Sequence, residues 1–396
     1  MESYSYLMLE SPIIQLLLIL LAGWYMGRLF RKSLDLPPML GELIAGLIFG
    51  PSILNLIHPS EYIDFLAELG IFFLMFYAGT ETDPKMFFKS LRPSILCGIM
   101  GFVIPFTLGY YGTVFLMPSA TMYQALFIGL GLSITAIAVN ARILMDLNMQ
   151  NSKIGHILIG AALVDDILSL GFFSALVDTI KIGHFSYSSV TVSMLHVIMF
   201  FLITYGIGKL VLPMVNKYYL EKEGHGFTFS LLTALVFSVI AESMGLHLII
   251  GAFLAGLFVR EEMKEDKLID MLNDRLMIIS YGFLGPVFFV SLAFNVELSA
   301  ILHEAFFLIV VLVIALGGKF IGAYLGCVMA KVRREDSIII SAGMNGRGAV
   351  ELILVSAGVS LGILNNQIVT ILVSMAFITT LITPIAFKTL LKRYGR

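Results

Sequence analysis

The sequence predicts an all-α polytopic membrane protein of about thirteen transmembrane helices, arranged as two inverted six-helix repeats with one broken helix in each. Three observations carry this. The 396 residues are 58% hydrophobic and only 13% charged, with a mean hydropathy of +0.94, and the apolar excess runs along the whole chain. A soluble chain of this length needs far more polar surface. The basic residues fall in alternate loops, as they do where one face of a membrane protein is cytoplasmic. Two apolar stretches carry glycines together with hydroxyl or amide residues, the composition that lets a helix break inside a membrane.

A spanning helix needs about 20 mostly apolar residues. Such stretches run over roughly 11–30, 37–57, 62–80, 92–116, 121–146, 152–180, 188–214, 227–243, 246–260, 270–294, 299–329, 336–360 and 365–390. The eighth and ninth are short and are divided only at Ser243–His247. The basic clusters Arg28/Arg31/Lys32, Lys85/Lys89/Arg92, Arg142/Lys153, Lys209/Lys217/Lys222, Arg260/Lys264/Lys267/Arg275 and Lys331/Arg333/Arg334 then fall on one side, with the tail Lys388/Lys392/Arg393/Arg396. Lys181 alone lies in an opposite loop. Adding or losing one span would destroy this alternation, so the N-terminus is expected outside and the C-terminus in the cytoplasm.

The net charge of −2 discriminates little. Met1-Glu2-Ser3-Tyr4 lacks the basic start of a signal peptide. No phosphate loop, dinucleotide fingerprint or zinc spacing is present, so no cofactor and no nucleic-acid partner are expected. Cys97 and Cys327 sit in apolar segments and read as small core residues. No loop is long enough for a second folded domain, so residues 1–396 are expected to form a single membrane unit.

Within this apolar background Asp165 and Asp166 stand side by side in segment six. Ionisable side chains at bilayer depth cost several kcal/mol, and they mark ion pathways and proton relays. Lys319 lies halfway along segment eleven. Snorkelling to an interface is the alternative reading, but a mid-span position argues against it, and a buried carboxylate of the aspartate pair is the expected partner. Segment five holds Ser133, Thr135 and Asn140, and segment twelve holds Gly343-Met-Asn345-Gly346-Arg347-Gly348. Both read as helix breaks supporting an ion site, although close helix packing explains small residues equally well in segment five. Arg347 and Glu351, four apart on one helix face, are expected to form a structural ion pair. Glu42, Glu68, Glu81 and Glu242 lie near segment ends and read as solvated or helix-end residues, and His247 as an interface residue.

One constant offset lays Ser133–Thr135 on Met344–Gly346, break on break. It carries Lys319 to Leu108, beside Pro105 and Gly109, and Asp165 to Ala376 in segment thirteen. Seven segments separate the equivalents, so the second half is inverted in the membrane and segment seven joins the two repeats.

Adjacent aspartates in one span, a lysine five spans later and glycine-rich breaks in flanking spans resemble the monovalent cation:proton antiporter-2 family. Leu36-Pro37-Pro38-Met-Leu-Gly41-Glu42 through Gly46, Gly50 and Pro51 is similar to that family's second helix. The resemblance implies a homodimer with a mobile core (about 92–180 and 299–390) and a dimerisation scaffold (about 11–80 and 188–294). It implies that segments five and twelve cross at the site, that Asp166 is the principal ion-binding carboxylate and that Asp165 pairs with Lys319. Na+ would be held transiently by Asp166 and Asp165, with Ser133, Thr135 and Asn140 completing its oxygen ligands.

A carboxylate binds a proton or a cation, not both, so competition for one site gives exchange. The expected function is Na+ (or Li+) exchange for H+ by alternating access, electrogenic, in a prokaryotic plasma membrane. By the same resemblance, two aspartates and the lack of a nucleotide-binding regulator of the kind potassium-efflux members carry are expected to favour Na+ over K+. A K+/H+ exchanger on the same scaffold and a gated cation channel are the alternatives.

Overall fold

The computed structural model describes residues 11–118, 120–182, 187–221, 225–263, 266–296 and 305–395. Every regular element among them is a helix. The first three segments are α1 (Pro12–Ser33), α2 (Pro38–Phe49) and α3 (Glu61–Glu81), followed by a short α4 (Pro84–Lys89) and the long α5 (Leu91–Leu116). Segment five is α6 (Met122–Ser133) and α7 (Ile137–Asp146), and segment six is α8 (Lys153–Ile182). Next come α9 (Tyr187–Glu221), α10 (His225–Ser243) and α11 (Leu248–Glu262). Segment ten comprises α12 (Asp266–Ile279), a π-helical turn (Ser280–Leu284) and α13 (Gly285–Leu292). The second half closes with α14 (Ala305–Met329), α15 (Arg334–Gly343), α16 (Ala349–Ser360) and α17 (Asn366–Arg393). Among the described residues nine helical stretches are long and apolar enough to cross a membrane. The remaining segments are shorter or broken.

Local sequence sets the boundaries. Thr121 and Gln124 form a reciprocal capping box that starts α6. Ser60, Asp83 and Asn365 cap α3, α4 and α17 with their side chains. His247 caps α11 by accepting from the Ile249 amide, and Gly245, at φ +76°, supplies the turn that separates α10 from α11. The eighth and ninth segments are therefore distinct helices.

Two boundaries differ from expectation. Segment two, expected over 37–57, is helical only to Phe49. Gly50 is extended before Pro51, whose ring disfavours helix at the preceding residue, and the chain folds back so that the Ile57 amide donates to Phe49. Segment seven extends to Glu221 rather than ending at 214. The expected first residues of segment eleven, 299–304, lie outside the described residues.

Helix α5 packs on α14, α6 and α8. The α5–α14 crossing is close because α14 presents glycines: a Cβ on Gly322 would stand 2.3 Å from the Met100 carbonyl oxygen. Cys97 and Cys327 lie buried within this same packing as free thiols. Helix α3 packs against α11 and α13, and α1 against α2. A single large apolar core joins most segments, with a smaller cluster between α1, α2 and α13.

Candidate ion site

Both broken helices stop where the glycine-rich stretches lie, and the two breaks touch. Helix α6 ends at Ser133 and α7 begins at Ile137; α15 ends at Gly343 and α16 begins at Ala349. The Ala136 amide donates to the Gly346 carbonyl at 2.8 Å, and Thr135 Oγ1 donates to the Met344 carbonyl at 2.9 Å. Donors of the first break thus satisfy freed carbonyls of the second, as a buried polar backbone requires.

The C-terminal carbonyls of α6 have no partners within their own helix. Two cations supply them. Arg347 donates to Gly131, to Leu132 at 2.7 Å and to Ile134 at 3.0 Å. Lys319 donates to Ser133. Positive charge at a helix C-terminus is also favoured by the helix dipole. The Arg347–Glu351 pair exists at 3.8 Å, longer than a charge-assisted hydrogen bond. Arg347 therefore holds the broken region mainly through carbonyls of the opposite break, and Thr380 fixes its backbone by accepting from its amide and donating to its carbonyl.

Asp165, Asp166 and Lys319 are fully buried. Lys319 Nζ lies 2.8 Å from Asp165 Oδ1, and the Thr135 backbone and hydroxyl lie against the same carboxylate. Asp166 has no hydrogen-bond partner on either oxygen. Asn140 is likewise buried, with neither its carbonyl nor its amide partnered, and its Oδ1 lies against Gly346. Asn345 donates to Ser341 and keeps Oδ1 free. The Ser133 hydroxyl bonds back to Leu130. Buried polar groups are rarely left this way. Asp166, Asn140 and Asn345 thus each keep an unpartnered buried oxygen, the hard donor type that suits a small monovalent cation or a proton.

Three features escaped the sequence reading. Ser169 Oγ is buried without a partner on α8, on the same helix face as Asp165 and Asp166; its three- and four-residue spacing from them was the available signal. Glu42 is not solvated: it pairs with Arg142 at 3.0 Å, and both are buried. Arg142, expected in a basic loop, lies inside the protein instead. Glu81 also has partners, accepting from Gln150 and Asn273, whereas Glu68 and Glu242 are exposed as expected.

Apolar helices, two crossed breaks and a buried carboxylate cluster define a multi-pass membrane transporter rather than an enzyme. The chain belongs to the sodium/hydrogen exchanger family: the profile described as "Sodium/hydrogen exchanger, transmembrane" matches residues 16–393. It is 27% identical over 385 residues to a Na+/H+ antiporter of Enterococcus hirae, covering 96% of this chain and 98% of that one. It is 32% identical to the probable Na+/H+ antiporter GerT of Bacillus cereus (96% and 98% covered), and 31% identical to the Na+/H+-K+ antiporter GerN of the same organism (94% and 95%). Its fold matches that of the sodium proton antiporter MjNhaP1 from Methanocaldococcus jannaschii, with a TM-score of 0.70 at 16% identity, over 96% of this chain and 98% of that one.

Proposed function

We propose that this chain exchanges Na+ for H+ by alternating access, with Asp166 as the competing site for cation and proton. The observation that carries the reading is Asp166 itself: a fully buried carboxylate with both oxygens unpartnered, beside an Asp165–Lys319 pair that leaves it free. Asn140, Thr135, Ser133 and Asn345 supply neutral oxygens around the crossing. Arg347, with Glu351, holds the crossing in shape. Residues 92–180 and 299–390 move as a core against a scaffold of 11–80 and 188–294, which also forms a homodimer. The membrane is a prokaryotic plasma membrane, with the N-terminus outside and the basic loops and C-terminus in the cytoplasm.

K+ is a second cargo to test, because GerN, at 31% identity, is named for both Na+ and K+. The deciding experiment is proton movement in proteoliposomes carrying a pH dye, with Na+, Li+ and K+ added in turn. Na+-dependent proton release supports the proposal. A Na+ current with no proton movement would identify a channel instead.

A further inference from the structure

Glu42, Arg142, Asp146 and Tyr281 form a second buried polar cluster, away from the aspartate pair. Arg142 Nη2 meets Glu42 at 3.0 Å, and its Nε donates to Asp146 at 3.2 Å. The guanidinium stacks on the Tyr281 ring at 4.0 Å and lies 5.4 Å from that of Phe289. The Met39 amide faces Asp146. Met39 and Glu42 belong to α2, and Tyr281 and Phe289 to segment ten, all in the proposed scaffold. Arg142 and Asp146 belong to α7, in the proposed core. The cluster therefore straddles the boundary along which the two parts would move.

Stability alone does not explain it. Well-packed apolar residues would serve a buried contact at least as well as an ion pair, which must offset the desolvation of both charges. The satisfaction is also partial: Glu42 Oε2, Arg142 Nη1 and the Tyr281 hydroxyl have no hydrogen-bond partners. Tyr281 sits in the π-helical turn of segment ten, where the helical ladder is already loosened, as often happens at working sites. Beside the cluster lies a cavity of about 380 Å3, walled by scaffold residues Arg31 and Asp35 and by core residues Asp146, Asn148 and Lys388. Space for relative movement exists at this end of the boundary.

Helix α7 connects the cluster to the ion site. It is 10 residues long, about 15 Å. At its N-terminal end Ala136 and Asn140 meet the opposite break; at its C-terminal end Arg142 and Asp146 meet the scaffold. A short rigid helix with one end at the site and the other at the boundary transmits displacement between them.

We propose that Arg142 is a positioning residue of the transport cycle: its contact with Glu42 and Tyr281 holds the core in the conformation described here, and the contact is given up when the core moves. This rests on the alternating-access reading above. The test replaces Cys97 and Cys327 with alanine and spin-labels cysteines placed at the exposed positions Leu34 and Lys153, one on each side of the boundary. Pulsed electron-spin distance measurements are then made on the full-length protein, alongside exchange assays and thermal melts. Glu42→Gln removes the charge and keeps the shape. It is expected to move population from the dominant distance into a second one, changing their ratio roughly five- to thirtyfold, with Glu42→Asp restoring the wild-type distribution. If Glu42→Gln does not fold, Arg142→Lys, which loses the planar fork bridging Glu42 and Asp146, is read in the same way. An unchanged distance distribution overturns the proposal, including when the melting temperature falls, since that is the outcome of a purely structural contact. Loss of Na+-dependent proton movement in the unsubstituted protein would instead refute the exchange reading, and the distance comparison would still decide the role of Arg142.

Discussion

Lys319 reaches Asp165 at 2.8 Å, while Asp166, the next residue in the chain, keeps both oxygens without a donor. Neighbours on a helix point about 100° apart, so the lysine that pairs with Asp165 leaves Asp166 on a different face of α8. The division of labour proposed for the pair follows: Asp165 balances Lys319, and Asp166 is available to a proton or a cation. Asp166→Asn removes the titratable ligand at nearly constant volume. Exchange is expected to fall to the level of empty liposomes, while the purified protein keeps its size-exclusion profile and melting temperature. Wild-type exchange in this variant would rule out the assignment.

The Arg347 guanidinium holds the carbonyls at the end of α6. Arg347→Ala strips three carbonyls at the end of α6 of their donor and leaves the buried Glu351 without its cation. Removing one partner from such a network costs roughly 3–5 kcal/mol. A large drop in melting temperature is expected, with faster hydrogen exchange in the α6–α7 break. Arg347→Lys should recover only part of the loss, because one ammonium cannot reach the same set of carbonyls with a planar fork. A melting curve superimposable on wild type for Arg347→Ala would contradict this.

Glycines on α14 offer an internal control for packing. A Cβ at Gly322 would meet the Met100 carbonyl oxygen at 2.3 Å, whereas one at Gly317 meets nothing within 4 Å. Gly322→Ala must push α5 and α14 apart, at a cost of about 1–3 kcal/mol. Gly317→Ala should be neutral, or stabilising by up to about 1 kcal/mol, through helix propensity. Equal melting temperatures for the two variants would show that the α5–α14 contact is looser than described.

Asp35, in the loop between α1 and α2, bridges Lys388 at 2.9 Å and Lys392 at 2.8 Å on α17. Hydrogen bonds from Lys392 and then Lys388 lower its pKa from 3.8 to about 2. A carboxylate depressed in the folded state contributes stability above its unfolded pKa and loses it as pH falls through the folded one. The contribution is small and screened by salt, because the group lies at the surface. The melting-temperature difference between wild type and Asp35→Asn should therefore be constant from neutral pH down to about 5, shrink mostly between about pH 4 and 2, and vanish only below that. A difference that grows on acidification would reverse the sign of this linkage.

Much of this was legible in the sequence, because the membrane makes composition speak. Broken helices need glycine and polar side chains, and those stand out in apolar runs, so both breaks could be placed near Thr135 and Asn345. Buried charges stand out equally, which is how Asp165, Asp166 and Lys319 were found. Pairings between distant segments were less visible. Arg347 has an acidic neighbour four residues on, so the local ion pair was the natural reading; its partners Gly131, Leu132 and Ile134 are backbone carbonyls that no side-chain pattern reports. Arg142 lies near Lys153 in a basic cluster, and only the tertiary fold brings it to Glu42. The shortness of segment two was signalled by Gly50-Pro51, but hydropathy alone ran through it.

The charge arrangement at the site leads to a prediction about stoichiometry. In a proton-loaded state Asp166 carries a proton and Lys319 is charged opposite ionised Asp165, so the three side chains sum to zero. In a Na+-loaded state both aspartates are ionised and Lys319 gives up its proton, leaving Na+ and two negative charges. The difference is two protons against one Na+, and the coupled group titrates as a unit rather than as separate residues. Exchange should then be electrogenic, and it should slow at low pH, where protons compete with Na+ for Asp166. Lys319→Gln removes the second proton carrier, so coupling should become electroneutral or stop. Na+-driven proton movement is measured in liposomes with the membrane potential either free or clamped by K+ and valinomycin. The wild type should accelerate when the potential is clamped at zero, and a functional Lys319→Gln protein should not respond. Wild-type rates indifferent to the clamp would remove the two-proton scheme while leaving antiport through Asp166 intact.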